Sequence, residues 1–489
     1  MLAAVSRKFV VRTYGCQMNE HDSERIAGLL EAEGMEPASD LESADVVVLN
    51  TCCIRENADN KLYGHLGALK ALRERNPSLQ VAVGGCLAQK DRELVRRRAG
   101  HVDVVFGTFN VGRVGELLRQ ASEHGPQVEI LDSAPSDDLE AYPSALPPRK
   151  DLGHAEWVTI QVGCDNSCAF CIVPQVRGPE ASRPFSQVVS EVRDLASRGV
   201  VEVTLLGQNV NSYGRDIALA LRSGSDSASE VAFQAGESWA SSGRRVRPLF
   251  ADLLRAVGSV EGIRRVRFTS PHPKDLLPET IAAMAETEAV CEQLHLPLQS
   301  GSDRVLRAMR RGYTAERYLQ RLGEARKAIG DLAVSTDIIV GFPGETEEDF
   351  EATLEVVAEA AFDGAFTFQF SPRPGTRAGE MQSEYIAPEV VAERFARLAV
   401  VVERSALAAH RRRIGKVEEV LVEGPARKDP TMVAARTRQQ KLVLLDPAPG
   451  LVPGAFAKAR ITDAGAHHLR GELSGTPLHP KRRRLAVLN

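Results

Sequence analysis

Three cysteines stand at CxxxCxxC spacing in the run Cys164-Asp165-Asn166-Ser167-Cys168-Ala169-Phe170-Cys171, directly after the apolar stretch Trp157 to Gly163. Three thiolates on one short loop can hold three irons of a cubane iron–sulfur cluster. The fourth iron is then left open to a small molecule. A closed zinc site wants four ligands, and no fourth Cys or His follows nearby. The spacing points to an iron–sulfur centre with an open coordination position.

A second set of cysteines has no local spacing. Cys16, Cys52 and Cys86 lie just past the strand-like runs Lys8–Tyr14, Ala44–Asn50 and Leu79–Val83. These runs, with Val102–Phe106, are Val-rich and apolar nearly throughout, as in a parallel sheet covered on both faces. Helical patterns such as Ser23–Glu33 and Ala88–Arg98 separate them, which gives a doubly wound α/β domain. Ligands in such sheets sit outside the carboxyl ends of the strands. Three cysteines remote in sequence thus converge on one edge and make a second three-thiolate site. Cys53 adjoins Cys52, and one loop can point only one of the two squarely at a cluster.

The elements that must position the first loop follow from Trp157 onward. Six strand-like runs are separated by helical patterns: Trp157–Gly163, Val201–Gly207, Arg264–Ser270, Gln293–Leu298, Ala333–Val340 and Ala365–Phe370. Six βα units imply a partial barrel with its chemistry at the C-terminal strand ends, where the cysteine loop lies. Cys291 precedes the fourth run, at the other barrel end, and reads as core. The chain divides into an α/β domain over 7–124, a Pro/Ser/Asp-rich linker over 125–152 and a barrel over 153–385. A Ser/Ala/Gly-rich insertion at 217–246 interrupts the barrel and reads as mobile surface. Short alternating runs over 403–474 predict a small β-barrel, followed by a basic tail over 475–489.

Length and composition agree with a multidomain globular chain. Its 489 residues are 43% apolar and 26% charged, enough for large cores. No apolar run is long enough to span a bilayer, and the first eleven residues lack a signal-peptide pattern. The expectation is a cytoplasmic protein, where reduced thiols favour metal or cluster ligation over disulfides. The net charge of −4 hides an asymmetry: residues 403–489 hold 17 Lys and Arg against 8 Asp and Glu. A basic C-terminal module on an acidic body suits a polyanion. Phe456 is its only aromatic residue, so RNA contact there would run mainly through phosphates.

These blocks carry a family resemblance over nearly the whole chain. Thr13-Tyr14-Gly15-Cys16-Gln17-Met18-Asn19, Asn50-Thr51-Cys52 and Gly85-Cys86-Leu87-Ala88-Gln89 come first. The cysteine loop then runs on into Arg177-Gly178. Later come Leu206-Gly207-Gln208-Asn209-Val210-Asn211-Ser212-Tyr213-Gly214, Leu296-Pro297-Leu298-Gln299-Ser300-Gly301-Ser302 and Thr336-Asp337-Ile338-Ile339-Val340-Gly341-Phe342-Pro343-Gly344-Glu345. In this order they resemble the radical S-adenosylmethionine (SAM) methylthiotransferases. Most similar is the tRNA-2-methylthio-N(6)-dimethylallyladenosine synthase family. The sister families that act on a ribosomal-protein aspartate or on threonylcarbamoyl-adenosine open with Gly-Cys-Pro-Lys-Asn or Gly-Cys-Lys-Val-Asn. This chain has Gly15-Cys16-Gln17-Met18-Asn19 instead.

The resemblance implies a flavodoxin-like N-terminal domain, a partial (β/α)6 barrel and a C-terminal TRAM domain that binds RNA. It implies one 4Fe-4S cluster on Cys164, Cys168 and Cys171 and an auxiliary one on Cys16, Cys52 and Cys86. Cys52 rather than Cys53 is the ligand because it follows Asn50-Thr51. SAM would serve as radical source and as methyl donor. The substrate would be N(6)-dimethylallyladenosine at position 37 of tRNAs reading codons that begin with U. No side-chain acid or base can break the unactivated C–H bond at position 2 of that ring, so a cofactor must. Gln208 and Asn209 are expected at the methionine moiety of SAM, with Ser300, Thr336 and Asp337 as further contacts. Ser300 and Gly301 open a helix whose N–H groups suit an anion. His295 reads as core. Arg177 and Arg183 read either as contacts to SAM or phosphate or as surface ion pairs. Implied partners are the anticodon stem-loop of tRNA and a low-potential electron donor such as flavodoxin or ferredoxin. The enzyme is expected to be a monomer. A reading from another class is a non-catalytic iron–sulfur RNA-binding sensor.

Overall fold

The computed structural model describes residues 6–53, 56–132, 152–223 and 247–479. Most of the expected linker and insertion, and the basic stretch Lys481 to Arg484, lie outside the described residues.

The first domain is a six-stranded sheet in the order β2-β1-β3-β4-β5-β6, every pair parallel. Its strands are β1 (Lys8–Tyr14), β2 (Glu36–Pro37), β3 (Val46–Thr51), β4 (Gln80–Gly84), β5 (Val104–Phe106) and β6 (Gln127–Glu129). Residues of β3 and β4 are buried throughout, as a sheet covered on both faces requires. Alternate side chains feed separate cores, Val47 and Leu49 on one face and Val46 and Val48 on the other. The strand order reverses direction between β1 and β3, so a crevice opens at their carboxyl ends. Two strands escaped the sequence reading because they are too short to show a pattern. One is β2, and the other is β6, which lies inside the stretch read as linker.

The second domain is built from β7 (Ala155–Thr159), β10 (Glu202–Leu206), β11 (Arg265–Phe268), β12 (Gln293–His295), β13 (Ala333–Val340) and β14 (Gly364–Gln369). All pairs are parallel and neighbours in space are neighbours in the chain. A single bridge, Val266 to Val290, joins the two three-stranded halves. Helices such as Phe185–Ser197, Phe250–Gly258 and Glu347–Ala360 pack on the outside, where Val203, Leu205, Val266, Leu294, Val334 and Ile338 share one core. Between β7 and β10 a short antiparallel ribbon, β8 (Gln161–Val162) with β9 (Ala181–Ser182), closes the base of the cysteine loop. Gly163 sits there at φ 76°, and a Cβ would lie 1.8 Å from the Pro179 carbonyl oxygen, so only glycine fits the pinch.

The third domain is a closed barrel of β15 (Val417–Pro425), β16 (Val433–Thr437), β17 (Leu442–Leu445), β18 (Phe456–Ala464) and β19 (Leu469–Leu473). Three of these strands cover the runs expected there, and β16 and β19 complete the closure. The helix Pro388–Arg411 leads into it and packs on β14 and on the helix Glu347–Ala360. The turn between β16 and β17 plugs the N-terminal end of the second domain's barrel. There Arg265 and Arg267 of β11 point inward and donate to the carbonyl oxygens of Glu419, Arg436, Thr437 and Arg438 at 2.7 to 3.1 Å. Lys441 pairs with Asp363 at 2.7 Å, and Arg438 with Glu292 at 2.7 Å. Phe456 is buried in the same interface under the Arg264 guanidinium, so the one aromatic ring of this domain is not available to a base.

Candidate active site

Two helices start at the cysteines of the first domain. Cys16 is the residue before the helix Gln17–Ala32, and Cys86 opens the helix Cys86–Asp91. The β1–β3 register brings Tyr14 opposite Thr51, and the Cys52 N–H donates to the Tyr14 carbonyl at 2.7 Å. Gly15 lets the two turns close: a Cβ there would stand 2.4 Å from Cys52 Cβ. Asn50 holds the base of the site by donating to the Asn19 carbonyl at 2.8 Å and to Ser23 Oγ at 3.0 Å. Cys16 Sγ lies 3.3 Å from Asn19 Oδ1.

The thiols of this set are linked in pairs. A hydrogen bond from Cys52 draws the Cys16 thiol down to about 6, with the Arg177 guanidinium adding to the effect. A hydrogen bond from Cys53 lowers Cys86 in the same way, again with help from Arg177, while Cys53 itself is pushed well up. Cys53 is fully buried and packs in the apolar core with Leu49, Leu62 and Cys86. Among the described residues no three His, Cys, Asp or Glu side chains close on a single-metal geometry. Ligands of a cubane bind separate irons and stand wider apart than around one ion, so this does not bear on a cluster.

The second set sits on the loop above β8. Cys164 N–H donates to Gly178 O at 3.2 Å, and Cys171 N–H to Cys168 O at 3.0 Å. Burial raises the Cys164 thiol and pushes Cys171 up to about 12. Arg311 is buried and donates to Cys168 Sγ at 3.2 Å. It stands ready to offset the charge of the thiolates that a cluster requires.

The loop runs into the helix Val173–Arg177, which packs on the first domain. Ile172 and Val176 join the core around Leu62, Leu66 and Leu87, and Thr108 Oγ1 donates to the Val176 carbonyl at 2.7 Å. Arg177 ends this helix and forms a buried ion pair with Asp22 at 2.7 Å. Its guanidinium lies within charge reach of both Cys16 and Cys86. Arg183 pairs with Glu191 at 2.7 Å, and Glu191 also takes Arg25 at 2.5 Å. Both arginines are thus interior, not surface ion pairs: Arg177 clamps the two domains directly, and Arg183 holds Glu191 in place for Arg25 of the first domain. The helix that follows the second set thus packs against the helix that Cys86 of the first set opens. Met18, beside Cys16, touches Val162 and Leu206 at the barrel's strand ends.

Of the expected SAM contacts, three have suitable positions and two do not. Gln161, just past β7, and Gln208 and Asn209, just past β10, stand at neighbouring strand ends, and their side-chain oxygens Oε1, Oε1 and Oδ1 are buried without a hydrogen-bond partner in the protein. Asp275 accepts the Asn209 amide N–H at 2.9 Å, and the Asn209 carbonyl accepts that of Gln161 at 2.9 Å, so the acceptor ends are the free ones. Three orphaned acceptors beside the cysteine loop fit a group rich in N–H donors, such as the amino group of SAM. Asp337 lies on the inner face of β13 with His295 Nε2 at 3.4 Å. His295 is held as a packed, hydrogen-bonded histidine: its Nδ1 lies 2.9 Å from Ser335 Oγ and its ring packs edge-on to Phe366, but β12 turns it toward the barrel interior and leaves it only half-buried.

Thr336 points the other way, into the helical layer. Its hydroxyl donates to Leu296 O at 2.8 Å and accepts from Leu298 N at 2.9 Å. Ser300 is fully buried, with its oxygen 3.3 Å from Thr353 Oγ1 and accepting from Ser302 N. Gly301 N–H donates to Thr353 Oγ1 at 2.9 Å. The Thr336 and Ser300 side chains are thus both engaged within the protein. Gln161, Asp275 and Arg311 escaped the sequence reading. Only Gln161 carried a signal, its place three residues before Cys164 at the same strand end.

The comparisons agree with this architecture. Residues 8–107 match the model described as uncharacterized protein family UPF0004, residues 158–357 the radical SAM superfamily and residues 411–474 the TRAM domain. Fold and site therefore define a radical-SAM enzyme, with a 4Fe-4S cluster and SAM as its cofactors. The chain is 51% identical to a tRNA-2-methylthio-N(6)-dimethylallyladenosine synthase of Salinispora arenicola (strain CNS-205), over 98% of this chain and 90% of that one. It is 50% identical to the protein of that name in Thermobifida fusca (strain YX), over 95% and 88%. Among solved structures, the radical S-adenosylmethionine methyltransferase TsrM from Kitasatospora setae aligns at TM-score 0.49 and 14% identity, over 77% of each chain. The chain belongs to the tRNA-2-methylthio-N(6)-dimethylallyladenosine synthase family.

Proposed function

We propose that this enzyme converts N(6)-dimethylallyladenosine at position 37 of tRNAs reading U-initial codons to its 2-methylthio derivative. SAM is used both as radical source and as methyl donor. The observation that supports this most is that Arg177, six residues past Cys171, crosses one domain interface to pair with Asp22 and lies within charge reach of Cys16 and Cys86. A single set would serve a radical reaction. Two sets suit a reaction that must both open a C–H bond and deliver sulfur.

In this reading Cys164, Cys168 and Cys171 hold the cluster that binds SAM, and Cys16, Cys52 and Cys86 hold an auxiliary 4Fe-4S cluster. Bound there, these groups supply a carbon-centred radical and the sulfur. The chain's own residues do the placing. Gln161, Gln208 and Asn209 accept from the amino group of SAM, and Asp337 faces the same barrel interior. The exposed Phe366 ring offers a stacking face for the adenine. The first domain covers the barrel mouth and excludes water from the radical. The TRAM barrel, whose strands hold Arg436, Arg460 and Arg470, contributes phosphate contacts. Flavodoxin or ferredoxin supplies the electron, and the enzyme works as a cytoplasmic monomer. Among the described residues no helix is long and apolar enough to cross a membrane.

Mass spectrometry of tRNA nucleosides from a deletion strain tests the reaction. The expected result is loss of the 2-methylthio derivative with accumulation of N(6)-dimethylallyladenosine. Unchanged 2-methylthio content overturns it.

A further inference from the structure

A cleft of about 850 Å³ opens directly beside the cysteine loop. It is lined by Ser167, which is exposed and adjoins Cys168, and by Arg307, Arg310 and Arg317, with Asp303 and Glu316 at its edge. The three arginine side chains are exposed and have no ion pair or hydrogen bond within the described residues. Most other arginines near the site are committed: Arg304 to Asp349, Arg177 to Asp22, Arg183 to Glu191. Three guanidinium groups around one cleft repel each other, and the two acids that line it, Asp303 and Glu316, form no ion pair with them and leave the cleft with a surplus of positive charge.

The same segment touches the cysteine loop from within. The Ala169 N–H donates to the Met309 carbonyl at 2.9 Å, and Arg311 donates to Cys168 Sγ at 3.2 Å. Arg310 lies between them in the left-handed region at φ 58°, an uncommon conformation for arginine, at the point where the segment passes from Met309 to Arg311. Arg310 is exposed and Arg311 is buried. One short stretch therefore carries a free positive surface on one side and a direct contact to a cysteine of the loop on the other.

We propose that this cleft is the docking surface of the electron donor, a small acidic protein carrying a one-electron centre. The assignment rests on the radical-SAM reading, in which one electron must enter from outside: the donor's reduced centre is oxidised and the cluster on Cys164, Cys168 and Cys171 is reduced. Carboxylates of the donor pair with Arg307, Arg310 and Arg317, which sets the donor's centre against Ser167 and Cys168. Asp303 and Glu316 in the same cleft favour a protein partner over RNA. A protein surface carries both signs, whereas a phosphate backbone meets only repulsion at those two positions.

The test uses the reconstituted holoenzyme with R307E/R310E/R317E and, as a milder change, R307Q/R310Q/R317Q. Reduction is followed anaerobically by bleaching of the cluster absorbance, with reduced flavodoxin or reduced ferredoxin as donor. Reduced methyl viologen, a small cation that needs no docking surface, serves as the second reductant. The charge reversal is expected to slow reduction by the protein donors at least about tenfold and to abolish its dependence on ionic strength. Reduction by methyl viologen and the affinity for an anticodon stem-loop are expected to stay unchanged. Unchanged donor rates in both variants overturn the proposal. So does a fall in stem-loop affinity with donor rates intact, which assigns the cleft to RNA phosphates. An equal slowing of reduction by methyl viologen in the variants places the damage in the cluster and overturns the docking surface as well.

Discussion

Arg177 is buried against Asp22 and acts on Cys16 and Cys86 through its charge. Removing the guanidinium in Arg177→Met leaves Asp22 as a buried carboxylate without its partner, at a cost of about 3–5 kcal/mol. The same change withdraws positive charge from the Cys16 thiolate. Alkylation of Cys16 in the cofactor-free protein is expected to show a pH midpoint near 6 in the wild type and a clearly higher one in Arg177→Met. Arg177→Lys should recover part of the shift, because charge survives even though the two-pronged geometry does not. A midpoint that does not move would remove Arg177 from the electrostatics of the site.

At the scale of elements, the site depends on turns that join strands to helices. Gly15→Ala would press a methyl group to 2.4 Å from Cys52 Cβ and 2.9 Å from Asn19 Oδ1, so the first and third strands cannot present Cys16 and Cys52 together. The expected outcome is loss of about half the iron, with the cluster on the Cys164 loop kept and SAM cleavage retained. Full iron content in Gly15→Ala would show that the turn is not needed. The turn Thr437–Lys441 is the counterpart at the other barrel end. Arg267→Ala strips two carbonyl partners from it and leaves Glu202 without its nearest cation. About 2–4 kcal/mol of docking should be lost, seen as faster hydrogen exchange at Thr437 to Lys441 and a lower Tm. Unchanged exchange would mean that the small barrel is held by other contacts.

Across the described residues burial disfavours the protonation of five histidines, the buried His21, His272 and His410 and the half-buried His101 and His154. His272, beside Arg311 and Lys274, is lowered to about 2. Its folded value lies below its unfolded value, so below about pH 6.5 the unfolded chain binds a proton that the native state refuses. The stability from keeping it neutral is present above pH 6.5 and is lost as pH falls, by up to ~1.4 kcal/mol per pH unit. Asp22, Glu180 and Glu345 are raised by burial and act with the opposite sign. The difference between wild type and His272→Asn therefore isolates the effect. Urea unfolding of the cofactor-free protein at pH 7 and pH 5 should show a fall in stability smaller by about one proton's worth in the variant. Equal falls would place His272 in contact with solvent.

Much of this molecule was legible in its sequence, for identifiable reasons. Fully buried parallel strands such as β3 and β4 show as unbroken Val-rich runs, and a strand end marks where Cys16, Cys52 and Cys86 must meet. Long amphipathic helices such as Glu347–Ala360 show by their period. Strands of two or three residues, β2 and β6, have no period to read. Side-chain direction was the other gap. Thr336 and Asp337 are adjacent, and only the observed pleat of β13 turns one into the helical layer and the other into the barrel. Arg177 and Arg183 could not be placed without the domain interface that buries them, since a buried clamp and a surface pair look alike in sequence.

The two cysteine sets are the centre of the account. Anaerobic iron and sulfide analysis of the wild type against a Cys16→Ala, Cys52→Ala and Cys86→Ala triple variant tests them most directly. Two clusters predict about eight irons per chain in the wild type and about four in the variant, with 5′-deoxyadenosine still formed from SAM and methylthiolation abolished. Equal iron in the two proteins would remove the auxiliary site and with it the methylthiolation chemistry proposed for this enzyme.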